Sequence, residues 1–355
     1  MLLYTNIPSN LPISKNELEI KLRRHKMSCN CKVKEGECNI RVLDDRHRVG
    51  GHVELKKTLF QTLTQQACSG SHCSQFFLGS AQGYTGRILE KADIEKSKIF
   101  CETYGKTFYV HCPLIANLSK DPIFRNSLET IEEKGASILQ KSWKVVSSQV
   151  HQMNGLPAGC VLHMGSKGSV SNLINNLNDF DVPRNTHVSQ QRLLNLENCA
   201  GQGTSIGRSF DELRQVFEGI DRNTIGLCMD TQHVFGSGAS KLQSHEDIVK
   251  FFDEVENVKG GIPDVIHLND SKKVFNSQVD RHECITEGFI WGNGVLGSEV
   301  GENEREGLKY LLERCYEDRI DCILETPDAT KDLNLIRSKF MDLHTIDCYL
   351  ENKKR

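Results

Sequence analysis

No apolar run in this 355-residue chain approaches the roughly 20 residues needed to span a bilayer. The opening MLLYTNIPSNLPIS lacks a basic n-region, and polar residues and prolines interrupt its apolar ones, so it does not read as a secretory signal. These absences set the expectation of a protein working inside a cell, cytoplasmic or nuclear and not secreted. A large excess of charge is also missing: 44 basic against 47 acidic side chains gives −3. That balance argues against coating nucleic acid by bulk electrostatics, but leaves room for a local positive site built from metal ions. The 14 cysteines fall well short of a disulfide scaffold. Most, such as Cys160, Cys228 and Cys322, sit singly in apolar runs, where a free thiol packs as a small hydrophobe.

What is present is the composition of a globular protein, 38% hydrophobic and 26% charged. Residues 1–48 differ from the rest. They hold the basic run KLRRHK (21–26) and a C-x-C-x6-C array at Cys29, Cys31 and Cys38, with no alternating strand pattern. Ser14 can cap a helix from Lys15 to Lys26; the whole stretch reads as an appended extension. From residue 49 the sequence becomes rhythmic, and 49–355 reads as one domain. Short apolar runs recur at VGGHV (49–53), QFFLG (75–79), TFYVH (107–111), CVLHM (160–164), RLLNLE (192–197), IGLCMD (225–230), DVIHL (264–268) and CILET (322–326). Segments of helical spacing separate them. In SFDELRQVFEGI (209–220), Phe210, Leu213, Val216 and Phe217 share a face behind a Ser209/Glu212 capping-box pattern. Beyond Pro327 a last amphipathic helix would turn Leu333, Ile336, Phe340 and Leu343 inward. Eight buried-type strands alternating with helices predict an α/β fold, a closed (β/α)8 TIM barrel of about 280 residues. The alternative is an open doubly wound sheet, weakened by the lack of GxGxxG after the first strand.

Six of the eight runs end in a side chain that can ligate a metal: His111, His163, Glu197, Asp230, His267 and Glu325. Strand C-termini of a barrel open onto one face, so these groups would converge there. A single buried histidine is most simply a hydrogen-bonded core residue. Six at corresponding positions point to metal, because each is costly to bury unpaired. Two local motifs extend the set. His233 follows Asp230 in D-x-x-H, and Asp280 and His282 flank Arg281 in a D-x-H that, if extended, directs both ligands to one side. The nine candidates are five histidines, two aspartates and two glutamates, with no cysteine among them. That mixture suits zinc or manganese, and nine ligands suit a cluster of two or three ions better than one.

The segments LENCAGQGTSIG (196–207), IGLCMDTQHVFGSG (225–238), HLNDSKKVFNSQVDRHECITEG (267–288) and ILETP (323–327) resemble the signature segments of endonuclease IV. The likeness runs from His52 to Pro327. That family comprises zinc-dependent apurinic/apyrimidinic (AP) endonucleases of base-excision repair, built on a (β/α)8 barrel. The resemblance implies three zinc ions per chain. His111, His163 and Glu197 would hold the first; Glu197 would bridge to a second completed by Asp230, His267 and Glu325; His233, Asp280 and His282 would hold the third. It implies as partner double-stranded DNA carrying abasic or 3′-blocked lesions, acted on by a monomer. Two positions depart from the family pattern: Leu114 stands where a tyrosine is usual and Met164 where a proline is usual.

Hydrolysis of an anionic phosphodiester needs charge neutralisation, a nucleophile available at neutral pH and a stabilised leaving oxygen. Paired metals can supply all three. Glu197 and Glu325 are the expected catalytic carboxylates, Glu325 both ligating zinc and orienting or deprotonating the water. Arg281 would clamp phosphate, while Tyr84, the one aromatic side chain of the loop 79–87, and Leu114 would prop the gap left by an extruded nucleotide. The expected outcome is cleavage 5′ to an abasic site, leaving a 3′-hydroxyl and a 5′-deoxyribose phosphate, with 3′-end cleaning besides. Competing readings are a metal-dependent sugar isomerase on the same barrel and a non-catalytic binder of damaged DNA. An isomerase has no evident use for the His233, Asp280 and His282 set, and a non-catalytic binder would be free to lose a ligand that this chain keeps.

Overall fold

In a computed structural model the described residues are 47–121, 137–180, 182–187, 192–292 and 302–340. The chain separates into two units, Met1–Arg41 and Val42–Arg355, and every described residue belongs to the second. The helix expected at Lys15–Lys26, the Cys29, Cys31 and Cys38 array, and Leu343 lie outside the described residues.

The chain order is β1 (Val49–His52), α1 (Leu59–Cys68), β2 (Cys73–Phe76), α2 (Lys91–Tyr104), β3 (Thr107–His111), α3 (Ile138–Met153), β4 (Ala158–His163) and α4 (Val170–Asp179). There follow β5 (Leu194–Glu197), α5 (Phe210–Gly219), β6 (Ile225–Asp230), α6 (Thr231–Gly236), α7 (His245–Lys259) and β7 (Val265–His267). The series closes with β8 (Asp270–Ser271), β9 (His282–Glu283), α8 (Glu302–Glu317), β10 (Asp321–Leu324) and α9 (Ala329–Lys339).

Eight strands hydrogen-bond in a ring, β1-β10-β7-β6-β5-β4-β3-β2, and each neighbouring pair is parallel. The closed barrel excludes the open doubly wound sheet. β8 and β9 form a separate antiparallel pair at the barrel mouth, in the connection that carries the D-x-H motif. Near the closing seam, a Cβ on Gly50 would lie 1.7 Å from the Cys73 carbonyl oxygen, so only glycine fits where β1 meets β2.

The helices follow local signals. Ser137 and Ser244 make complete capping boxes with Gln140 and Asp247, starting α3 and α7. At α5 only half of the expected box forms. The Ser209 hydroxyl accepts from the Glu212 N–H, but the Glu212 carboxylate turns to the N–H groups of Gly207 and Arg208. Leu213, Val216 and Phe217 are buried beneath this helix and Phe210 is half-buried. On α9, Leu333 and Ile336 are buried and Phe340 is half-buried at the C-cap. Among the described residues, no helix is long and apolar enough to cross a membrane.

The barrel interior is layered. Cys73, Tyr109, Val161, Cys228, Val265 and Ile323 form one buried cluster. Because side chains alternate along a strand, the residue two positions further on points into the interior one layer nearer the C-terminal mouth. Those residues are Gln75, His111, His163, Asp230, His267 and Glu325. The apolar layer thus acts as a floor for a polar one.

Candidate metal centre

Register brings the polar layer together. His163 pairs with Glu197 across β4 and β5, and Asp230 with His267 across β6 and β7. Glu197 is the hub: its side chain is 1% exposed and lies among four imidazoles. Its Oε2 is 3.3 Å from His111 Nε2 and 3.6 Å from His163 Nδ1. Its Oε1 is 3.1 Å from His267 Nδ1 and 3.5 Å from His233 Nδ1. Glu325, at the mouth, has Oε2 3.1 Å from His267 Nδ1 and Oε1 3.1 Å from His52 Nδ1.

The motif beyond β6 works through a cap. Asp230 is the N-cap of the six-residue α6: its Oδ1 accepts from the His233 N–H at 3.0 Å. Its Oδ2 accepts from Asn269 Nδ2 at 2.7 Å and lies 3.6 Å from His282 Nε2. Asp280 bridges the two outer histidines, with Oδ2 3.5 Å from His233 Nε2 and Oδ1 3.5 Å from His282 Nε2. All nine sequence candidates therefore gather at one mouth.

At this mouth three groups of donor atoms, each within 4.8 Å of one another, could hold ions: His111, Glu197 and His267; Glu197, Asp230, His267 and Glu325; and Asp230, His233 and His282. His163 and Asp280 border these groups through Glu197 and through the outer histidines. The donor chemistry fits a cation. Three histidines turn Nδ1 toward backbone carbonyls, His111 to Cys112 at 2.7 Å, His233 to Asn198 at 3.0 Å and His282 to Glu325 at 3.1 Å. A carbonyl only accepts, so Nδ1 carries a proton and Nε2 is the nitrogen that each ring can offer a cation in place of a second proton. Glu197 Oε2 and His282 Nε2 are accordingly buried with no hydrogen-bond partner. Acceptors facing acceptors in a dry site call for a positive ion between them.

The electrostatics agree. Burial opposes charge on Glu197, but His163 and His267 hold its carboxyl well below the usual range. Burial likewise opposes charge on Glu325, yet His267 and His52 hold it low. His233 rises to about 10 because Asp230 and Asp280 outweigh its burial. Burial lowers His163 and His52. The carboxylates demand positive charge, and metal ions displacing protons would satisfy it.

Two members of the polar layer escaped the sequence reading. His52 ends β1, and Gln75, fully buried, bonds both Glu325 and His267. The signal for His52 was its place at the end of VGGHV, parallel to the other strand-end ligands. Gln75 carries no such signal, because the apolar run QFFLG opens at it, whereas β2 spans Cys73–Phe76 and places it near the strand end.

The residues expected at DNA sit further out. Arg281 is exposed, and its guanidinium donates to the Asp280 carbonyl at 2.7 Å. Tyr84 and Leu114 lie on two loops tied together: the Tyr84 hydroxyl donates to the Ile115 carbonyl at 3.0 Å, and the Leu114 N–H donates to Ala81 at 2.9 Å. Leu114 is 43% exposed, large for an isobutyl group.

A closed parallel barrel with its polar groups at the strand C-termini defines a class, and the family described as xylose isomerase-like TIM barrel matches residues 69–339. The chain belongs to that family. Within it, the relatives resembled are endonuclease 4 proteins. Probable endonuclease 4 of Staphylococcus epidermidis is 28% identical over 306 residues, covering 83% of this chain and 96% of that protein. Probable endonuclease 4 of Bacillus subtilis is 27% identical over 293 residues, covering 80% and 89%. The crystal structure of endonuclease IV from Thermus thermophilus superposes with a TM-score of 0.64 at 24% identity, over 82% of this chain and 98% of that one, which shows the shared fold.

Proposed function

We propose that the protein is a zinc-dependent AP endonuclease that cleaves duplex DNA 5′ to abasic sites, leaving a 3′-hydroxyl and a 5′-deoxyribose phosphate, and that it also trims 3′-blocked ends. The observation that carries this reading is the convergence of nine histidine and carboxylate side chains at one barrel mouth, seven of them in overlapping ion-sized groups and His163 and Asp280 at their border. The endonuclease 4 relatives supply the substrate class.

Three zinc ions fit the donor set: one with His111, His163 and Glu197, one with Glu197, Asp230, His267 and Glu325, and one with His233, Asp280 and His282. Bound there, zinc supplies positive charge against the phosphodiester and a water acidic enough to ionise near neutral pH. The chain does the rest. Glu197 holds four imidazoles about one carboxylate and is the natural bridge. Glu325 is 15% exposed, against 1% for Glu197, so it is the carboxylate that reaches the mouth, where it orients and deprotonates the attacking water. Arg281, exposed beside Asp280, clamps a phosphate of the strand. Tyr84 and Leu114 fill the gap left by the extruded sugar. The outer group of His233, Asp280 and His282 favours phosphodiester cleavage over sugar isomerisation, which needs no such set.

The test is incision of a duplex oligonucleotide bearing a tetrahydrofuran abasic analogue. Incision 5′ to the analogue, lost with a chelator and regained with zinc, is expected. A zinc-replete protein that leaves the duplex intact would reject the reading.

A further inference from the structure

Gln75 is outside the nine-residue set, yet it joins two of its members. Its Oε1 lies 3.0 Å from His267 Nε2, and its Nε2 lies 2.7 Å from Glu325 Oε1 and 3.0 Å from His52 Nδ1. The side chain is fully buried at the end of β2. Resting on the zinc reading above, we infer that Gln75 is a positioning residue that locks the His267 imidazole as its Nε2–H tautomer and so makes His267 Nδ1 the zinc donor.

The bonding leaves one consistent arrangement. Glu325 is a carboxylate and only accepts, so the amide nitrogen of Gln75 must face it. The amide oxygen must then face His267, and an amide oxygen also only accepts. His267 Nε2 therefore carries a hydrogen.

His267 needs this device because its ring is turned. His111, His233 and His282 present Nε2 inward and are held by backbone carbonyls on Nδ1. His267 instead presents Nδ1, 3.1 Å from both Glu197 and Glu325 and 3.9 Å from Asp230. Its outer nitrogen is held by the Gln75 side chain, where those three rely on main chain. The Cys228 thiol also touches the ring, but a thiol is a weak acceptor. A side chain is open to substitution where a backbone carbonyl is not, so the His267 tautomer rests on one replaceable residue. The same amide holds Glu325 Oε1, so Gln75 sets the angle between two donors of one ion.

The experiment uses the full-length zinc-loaded protein, wild type and Gln75→Met, a substitution close in size that removes both hydrogen bonds. Zinc retained per chain is measured against graded chelator, and histidine ring nitrogens are assigned by long-range 1H–15N spectra. In wild type, His267 should show a protonated Nε2 and a ligated Nδ1. Gln75→Met should release one zinc equivalent at about 10- to 100-fold lower chelator concentration, the usual cost of losing a residue that orients a metal ligand. The zinc of the His233 and His282 group should stay. Equal retention by the two proteins, or a wild-type spectrum with Nδ1 protonated and Nε2 ligated, overturns the inference. Should Gln75→Met not fold, the wild-type spectrum decides alone. A wild-type protein that takes up no zinc overturns the zinc reading together with the inference, whereas zinc bound through His267 Nε2 overturns the inference only.

Discussion

Replacing Glu197 by glutamine changes one oxygen to an amide group in a side chain that is 1% exposed. Shape is nearly conserved, so the perturbation is the charge. In the native centre that charge is shared among His111, His163, His267 and His233, at 3.3, 3.6, 3.1 and 3.5 Å. Removing one partner of a buried ionic set, with the others left in place, costs about 3–5 kcal/mol. At about 1.4 kcal/mol per factor of ten, zinc held against Glu197 should bind roughly 100- to 4,000-fold more weakly. The imidazoles can shed protons to soften the loss in the metal-free protein, but zinc has no such escape, so the deficit should show most in the loaded state. Zinc per chain after dialysis against graded chelator, alongside incision of the tetrahydrofuran duplex, reads both consequences. Glu325→Gln makes the informative contrast. At 15% exposure its charge is better screened, so it should keep more zinc than Glu197→Gln and still lose nearly all incision. Near-normal turnover by either variant in metal-replete protein would refute the assignment of the two carboxylates.

Tyr84→Ala combined with Leu114→Ala should weaken binding to abasic duplex while leaving zinc content unchanged, because neither side chain belongs to the donor groups and the main-chain bond from Leu114 to Ala81 still ties the two loops; unchanged affinity at fixed salt would show that these residues do not wedge the DNA. Deleting residues 1–46 should leave three zinc ions and incision at low salt, with binding that weakens more steeply as salt rises, since the KLRRHK run is lost; a deletion protein that lacks a zinc or fails to fold would place the segment in the core. Burial pushes the Asp332 carboxyl up to about 6, above an ordinary value of about 3.9. The native state therefore holds this proton longer than the unfolded chain, and its stabilising contribution is complete below about pH 4 and lost as pH rises through about 6. Thermal melts of metal-free wild type and Asp332→Asn should show the smaller fall between pH 4.5 and 7.5 in the variant, and identical slopes would discount the group.

The barrel could be read from the sequence because a strand buried on both faces is an apolar run with no polar phase, and eight such runs alternated with helices. β3 and β6 fall where TFYVH and IGLCMD predict them, each ending on its polar residue. β2 does not. QFFLG is apolar beyond Phe76, but Leu78 packs from a loop bridged at Gly79 and Gly86, so hydrophobicity continues where pairing with β3 has stopped. That displacement hid Gln75, and an amide at a strand end carries no signal of its own beside histidines and carboxylates. The second half of the α5 capping box did not form either. Gly207 and Arg208, the two residues before the cap, offered Glu212 two N–H groups, and that equally local pairing won over the Ser209 N–H. The gathering of the nine strand-end and loop residues was legible because parallel strands share one C-terminal end. Which nitrogen each imidazole turns inward was not, since that depends on carbonyls contributed by Cys112, Asn198 and Glu325.

Asp230 spends one oxygen on the His233 N–H and faces the centre with the other, which also accepts from Asn269. The carboxylate is thus committed to offering a single atom, and it cannot swing to chelate an ion with both without unfastening the first turn of α6. The helix in turn carries His233, so the bond that starts six residues of helix also sets the spacing between two donors. Asparagine at 230 could still cap α6 through its carbonyl oxygen, but would present an amide to the centre. Alanine would remove cap and donor together. The pair of substitutions therefore separates two quantities that other positions in this mouth confound: how far the scaffold is assembled before an ion arrives, and how strongly the ion is then held.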